Sequence, residues 1–239
     1  MVNQPQRPLI LDGSTYASNP GNLNVDYFYW FRSFPSQPIK LILPIIGLLA
    51  LAIFIDWIFG AAILDVIRKG KSLEHLPFAL LGVAIFNIFF GIRIWWFLKP
   101  LSFLVVYIRE YFTYGCVNPA IVVSSKPSLV AVFTDLRTNI MPYYAIKILP
   151  QPLRWMKNGV PPVGTRLATV ALYEGNINKG HWDTFHPIVI DCVTGNQADI
   201  QRVLESIPDW EWEQLEIGLE HIKTTKPGLY FLPSPNPFA

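Results

Sequence analysis

Two long apolar runs constrain this chain more than any other feature of it. From Leu41 to Leu64 the one charged residue is Asp56, and from Leu76 to Leu98 it is Arg93. Each run exceeds the roughly 20 residues that a helix rising about 1.5 Å per residue needs to cross a hydrocarbon core of about 30 Å. Neither carries the polar stripe of a soluble surface helix. Pro44 and Pro77 fall near the starts of the runs, where a missing backbone N–H does least harm. The connection from Asp65 to His75 is short and polar, with Arg68, Lys69, Gly70 and Lys71, so the two helices are expected to be antiparallel neighbours. A soluble buried hairpin would oblige the remaining residues to cover two almost wholly apolar helices. A hydrophobic fraction of 51% against 15% charged residues favours lipid as the cover.

The flanks fit that reading. Residues 1–36 form a polar, turn-rich tail with Pro5, Pro8, Gly13, Pro20 and Gly21, expected to be flexible or loosely docked as far as Asn24. It closes on Tyr27-Phe28-Tyr29-Trp30-Phe31 beside Arg32, the residue types that a membrane–water interface favours; packing of these rings on a soluble domain is the alternative. No basic start followed promptly by an apolar run precedes it, so the first apolar run serves as the insertion signal and no cleavable leader is expected. Within the hairpin, residues 37–99, Asp56 and Arg93 fall at different depths and are not expected to pair. Arg93 is expected to snorkel beside Trp95 and Trp96, and Asp56 with Trp57 to mark an interface. Alternatively, Asp56 lines a polar pathway or meets a partner subunit.

After Pro100, helical spacing of Leu101, Leu104, Val105, Ile108 and Phe112 up to Gly115 predicts a separate connecting helix over residues 100–115. From Asn118 the pattern turns to short β-branched stretches. Strands are expected at Ala120 to Ser124, Leu129 to Thr134, Tyr143 to Leu149, Arg166 to Tyr173 and Ile188 to Val193. Asn196, three residues before Asp199, reads as a helix start, and a second helix from Asp209 presents Trp212, Leu215, Leu219 and Ile222 on one face. The fold class is therefore α+β: a two-helix transmembrane hairpin, then a small antiparallel, barrel-like sheet with two C-terminal helices over residues 116–226. The Pro-rich tail, 227–239, is expected to be extended.

Chemistry-bearing patterns are sparse. Lys and Arg outnumber Asp and Glu 9 to 6 up to Gly115, against 10 to 11 beyond it, which suits an anchor near anionic lipid better than a nucleic-acid-binding face. Cys116 and Cys192 lack metal-site spacing and read as ordinary thiols, with a single bridge between them as the alternative. His181, Asp183 and His186, in Gly180-His181-Trp182-Asp183-Thr184-Phe185-His186-Pro187, are the candidate catalytic residues, a general base or metal-ligating set. On an extended strand, however, His181 and Asp183 share a face that His186 leaves, and the alternative is a loop whose Trp182 and Phe185 fill the core. Cys192 with His221 lacks local support as a nucleophile pair. Gly159 to Thr165 lacks the Lys and spacing of a phosphate-binding loop. No cofactor or metal is expected.

Asn118-Pro119-Ala120-Ile121-Val122-Val123, Arg166-Leu167-Ala168-Thr169-Val170 and Trp182-Asp183-Thr184-Phe185-His186-Pro187 carry a resemblance over about Tyr114 to Tyr230. The C-terminal half resembles a family of uncharacterised bacterial proteins with a domain of unknown function behind a membrane anchor. The resemblance implies a bacterial membrane, plasma or thylakoid, and supplies neither activity nor site residues. The expected function is non-enzymatic: a membrane-anchored accessory or assembly subunit that contacts lipid and another membrane protein. A membrane-tethered enzyme using the His181, Asp183 and His186 loop is the alternative, and a channel built by oligomerisation around Asp56 is a third class. Loop and flanking basic residues barely differ in number, so the absence of a leader and the two thiols, read as unpaired, set the expectation that both termini are cytoplasmic.

Overall fold

The computed structural model describes residues 18–69 and 76–233. The helices are α1 (Tyr27–Ser33), α2 (Ser36–Arg68), α3 (Leu76–Tyr114), α4 (Gln197–Glu205) and α5 (Asp209–Ile222). The strands are β1 (Cys116–Ser125), β2 (Ser128–Asp135), β3 (Tyr144–Pro150), β4 (Arg166–Glu174), β5 (Thr184–Val189) and β6 (Gly228–Phe231). The chain forms two compact units, one of Pro35–Val105 and one built from the residues on both sides of it.

In the first unit, Pro38–Asp65 and Leu80–Tyr114 are long and apolar enough to cross a membrane, with mean hydropathies of 2.6 and 1.8. Only 6% of each apolar window is buried, whereas the core helix of a soluble protein is mostly covered. Pro100 does not start a separate helix. It lies inside α3, which runs unbroken to Tyr114 and so replaces the expected break at residue 100. A proline removes one donor from a helix. In the turn that follows, the Ser102 hydroxyl donates to the Lys99 carbonyl at 2.8 Å.

The second unit is a six-stranded antiparallel sheet, ordered β5-β4-β1-β2-β3-β6 and curled into a half-barrel. Its concave face holds Ala120, Val122, Val130, Val132, Ala145, Leu167, Ala171, Phe185 and Val189 in one core with Leu136, Leu153 and Cys192. α5 packs against β1, β2 and β3 on the other side and buries Trp212 and Leu215. Strands covered on both faces lose the apolar/polar alternation, and the middles of β1 and β2 are buried without interruption.

Among the described residues β5 has no backbone partner strand on its outer side, and side chains fill that role. Lys147 reaches from β3 to the Thr184 hydroxyl at 3.0 Å and to the Phe185 carbonyl. Gln151 donates to the Pro187 carbonyl at 2.9 Å and accepts from the Val189 N–H at 3.5 Å. Such bonds blunt an edge that would otherwise invite another strand. β5 starts four residues earlier than expected, and Ile190–Cys192 is a 3-10 turn instead of strand. Pro187 disguises the strand in sequence, yet an edge position tolerates it. β6, read only as extended tail, pairs with β3.

Residues 18–24 are not loosely docked. The N–H groups of Gly21, Asn22 and Leu23 donate to the carbonyls of Gly115, Thr113 and Phe112 at 3.0, 3.1 and 3.2 Å, so this segment satisfies acceptors that the end of α3 leaves open. Gly21 and Gly115 are required by contact: a Cβ at Gly115 would lie 2.4 Å from the Tyr111 carbonyl oxygen. Residues 1–17, the Gly70 to His75 part of the connection, and the tail from Ser234 lie outside the described residues.

Because Gln151 is buried and holds a β5 carbonyl, Gln151→Ala should cost about 1–3 kcal/mol. Chemical denaturation of the detergent-solubilised chain, followed by tryptophan fluorescence, measures it.

Candidate functional site

The three residues expected to form a site each belong to a different set of contacts. The His181 ring stacks on Tyr143 with centroids 4.0 Å apart and planes 7° from parallel, and its Nδ1 is 3.0 Å from the Trp182 carbonyl. Asp183 meets Lys179 at 2.7 Å, and that hydrogen bond holds its carboxyl below the usual range. His186 lies on exposed strand surface, its Nε2 2.8 Å from a carboxylate oxygen of Glu174. Among the described residues no three His, Cys, Asp or Glu side chains gather as a metal site. Trp182 and Phe185 pack in or against the core, as the sequence suggests for such a loop.

The thiols are equally unpromising for nucleophilic work. Both are free of disulfides. Burial pushes Cys192 up to about 12, with Asp191 adding to it, and burial also raises Cys116. A thiol so held is protonated at neutral pH.

The residues named for a membrane interface divide between the two units. Trp30 is 3% exposed and packs against Phe31 and Phe34, so its ring is a core group of the unit that contains the sheet. Arg32 stacks over the Trp155 ring at 5.1 Å. In the hairpin, Trp57, Trp95 and Trp96 are exposed, Arg93 lies over Phe89 at 5.1 Å, and Lys99 lies over Trp96 at 5.5 Å. Asp56 accepts a 2.9 Å hydrogen bond from Asn87 across the hairpin, a partner the sequence reading overlooked.

What the structure does assemble is an apolar, aromatic surface at one end of the sheet. Tyr144 opens β3 with Tyr143 just ahead of it, Phe231 ends β6, and Trp210 stands in the first turn of α5. Their rings form two sets on opposite faces of the sheet, Trp210 with Tyr144 at 6.4 Å on the α5 side and Tyr143 with Phe231 at 5.3 Å and with His181 on the other. The adjoining β2–β3 loop carries Ile140 and Met141, which are 91% and 58% exposed. Side chains of this kind in water mark contact surfaces more often than chance exposure. Its trace in the sequence is Ile140-Met141 within the turn-rich stretch from Asp135 to Pro142, an apolar pair that no periodicity explains.

Residues 105–223 match the model of a family described as "Protein of unknown function (DUF3239)". These residues form a DUF3239 domain. Residues 18–34 pack on that domain from outside the matched range. A crystal structure described as a "putative membrane protein" from Corynebacterium diphtheriae is 23% identical, with the match covering 48% of this chain and 99% of that one at a TM-score of 0.38. No curated protein matches.

The DUF3239 domain carries one carboxyl beside the aromatic surface that titrates near neutrality. Burial pushes Glu211, next to Trp210, up to about 7, and the nearby Asp135 adds to the rise. A carboxyl raised in the folded state binds more protons there than in the unfolded chain. Its stabilising effect is therefore complete below about 4.5 and is lost as pH climbs through about 7. Glu211→Gln should accordingly raise the domain's Tm at pH 8 and change it little at pH 4.5, as thermal melts at the two pH values would read.

Proposed function

We propose that this chain is a non-enzymatic, membrane-anchored protein whose DUF3239 domain binds a protein partner through the surface formed by Ile140, Met141, Tyr143, Trp210 and Phe231, as an assembly or accessory subunit of a membrane complex does. The observation that carries the reading is the exposure of large apolar and aromatic side chains, Ile140, Met141, Trp210 and Phe231, around one end of the sheet. Trp, Tyr, Phe and Met are the residues that interface centres select. The dispersal of His181, Asp183 and His186 among separate partners supports a binding rather than a catalytic role.

Anchoring rests on the uncovered apolar surface of α2 and α3, which hydrocarbon solvates and water does not. A compact unit cannot be assembled through a bilayer, and the segments before and after the hairpin belong to the same one. The two helices thus enter and leave the membrane on one side, which we take to be the cytoplasmic face of a bacterial membrane, where Cys116 and Cys192 stay reduced.

Two measurements test this. The full chain should sediment with membranes and resist extraction without detergent; folded material left in the supernatant would refute the anchor. Met141→Asp and Trp210→Ala should each weaken capture of native partners by roughly 30-fold or more, the loss expected of a central contact residue. Proteins recovered by cross-linking to the wild type should fade in both variants, and undiminished recovery would sink the surface as the docking site.

A further inference from the structure

Arg93 carries a charge that the chain does not neutralise. It lies about 8 Å along the helix inside the Leu98 end of its apolar run. A long basic side chain at that depth can snorkel to the nearer surface, but helix Cβ atoms tilt toward the N-terminus, and in α3 that is the deeper direction. The guanidinium accordingly lies over the Phe89 ring, one turn farther in. Among the described residues it has neither an ion pair nor a hydrogen bond, and the described carboxyls of the hairpin are engaged elsewhere, Asp56 with Asn87 and Asp65 with Lys69. A guanidinium does not shed its proton in a protein, so no titration relieves the charge.

Two apolar grooves meet at this cation. One, of about 520 Å³, is lined by Ile92, Arg93, Trp96, Phe97 and Pro100, and so follows α3 from Pro100 down to Arg93. The other, of about 470 Å³, continues between the helices, with Gly47 and Leu51 of α2 and Phe89 of α3 among its walls. Lys99 lies over Trp96 at 5.5 Å, so a second cation without a carboxyl partner among the described residues stands at the wall of the first groove.

We propose that a net-anionic phospholipid binds here, its phosphate held by Arg93 and an acyl chain laid in the groove against α2. Charge and medium together identify the occupant. A permanent cation inside the apolar run needs an anion, and the anion that a bilayer brings within reach is the lipid phosphodiester. The planar guanidinium fork matches two phosphate oxygens, each accepting an N–H. Lys99 adds a second positive charge, which disfavours a headgroup that carries its own ammonium. Below the phosphate the groove walls are hydrocarbon, as an acyl chain requires.

The site rests on the hairpin lying in lipid and is independent of the partner surface on the DUF3239 domain. Trp96 borders the first groove and can report its occupant. In the full chain carrying Trp57→Phe and Trp95→Phe, it is the one tryptophan left in the hairpin. This protein is reconstituted into phosphatidylcholine liposomes, and its fluorescence is followed as phosphatidylglycerol or phosphatidylcholine with brominated acyl chains is mixed in. Quenching should show phosphatidylglycerol favoured beside Trp96 by about 5-fold or more, the preference expected from one well-placed cation. Arg93→Gln should bring the ratio close to one, and Arg93→Lys should keep part of it, since the charge survives without the fork. Arg68→Gln removes an equal charge from the far end of α2 and should leave the ratio unchanged. Liposome flotation reads insertion separately, so protein that fails to float removes the membrane reading and this site together. Floating protein that takes both lipids equally, or Arg93→Gln and Arg68→Gln variants that lower the ratio to the same extent, overturns the site alone.

Discussion

Water cannot solvate α2 and α3, and the rest of the structure is arranged around that fact. Their apolar windows are almost wholly uncovered by protein, at lengths suited to a bilayer's hydrocarbon. A helix satisfies its own peptide groups, which is the condition for a segment to lie in a medium that offers no hydrogen bonds. Side chains then decide what remains to be satisfied. Arg93 and Lys99 find aromatic faces on their own helix, while Asp56 finds Asn87.

The other unit covers a small curled sheet on both sides. Its concave face closes on Phe185 and Leu153, its outer face takes α5, and its β5 edge is held by Lys147 and Gln151. Burial of Lys147 lowers its affinity for a proton, and Glu174 partly restores it. This edge arrangement uses side chains where a closed barrel would use backbone pairs.

Much of this was legible in the sequence because it depends on local pattern. The two apolar runs, the first four strands, and the α4 cap, where the Asn196 side chain accepts from the Ala198 N–H, all follow from periodicity or capping chemistry. What escaped depends on distant partners. Pro100 reads as a helix start until the unbroken α3 is seen, Pro187 masks β5, and β6 becomes a strand only because β3 offers an edge. Trp30 belongs to a core that its neighbours in sequence do not reveal. The aromatic surface joins β3, β6 and α5, elements far apart in the chain, and Asn87 gains meaning only once the hairpin brings it level with Asp56.

The strap formed by Gly21, Asn22 and Leu23 across the end of α3 has a consequence for biogenesis. A ribosome delivers that strap early and its docking site late, with the whole hairpin emerging in between. The globular part therefore cannot close until both hydrophobic segments have left the exit tunnel. A fragment beginning at Val106 would be born without its strap, leaving the last carbonyls of α3 to whatever solvent or chaperone reached them.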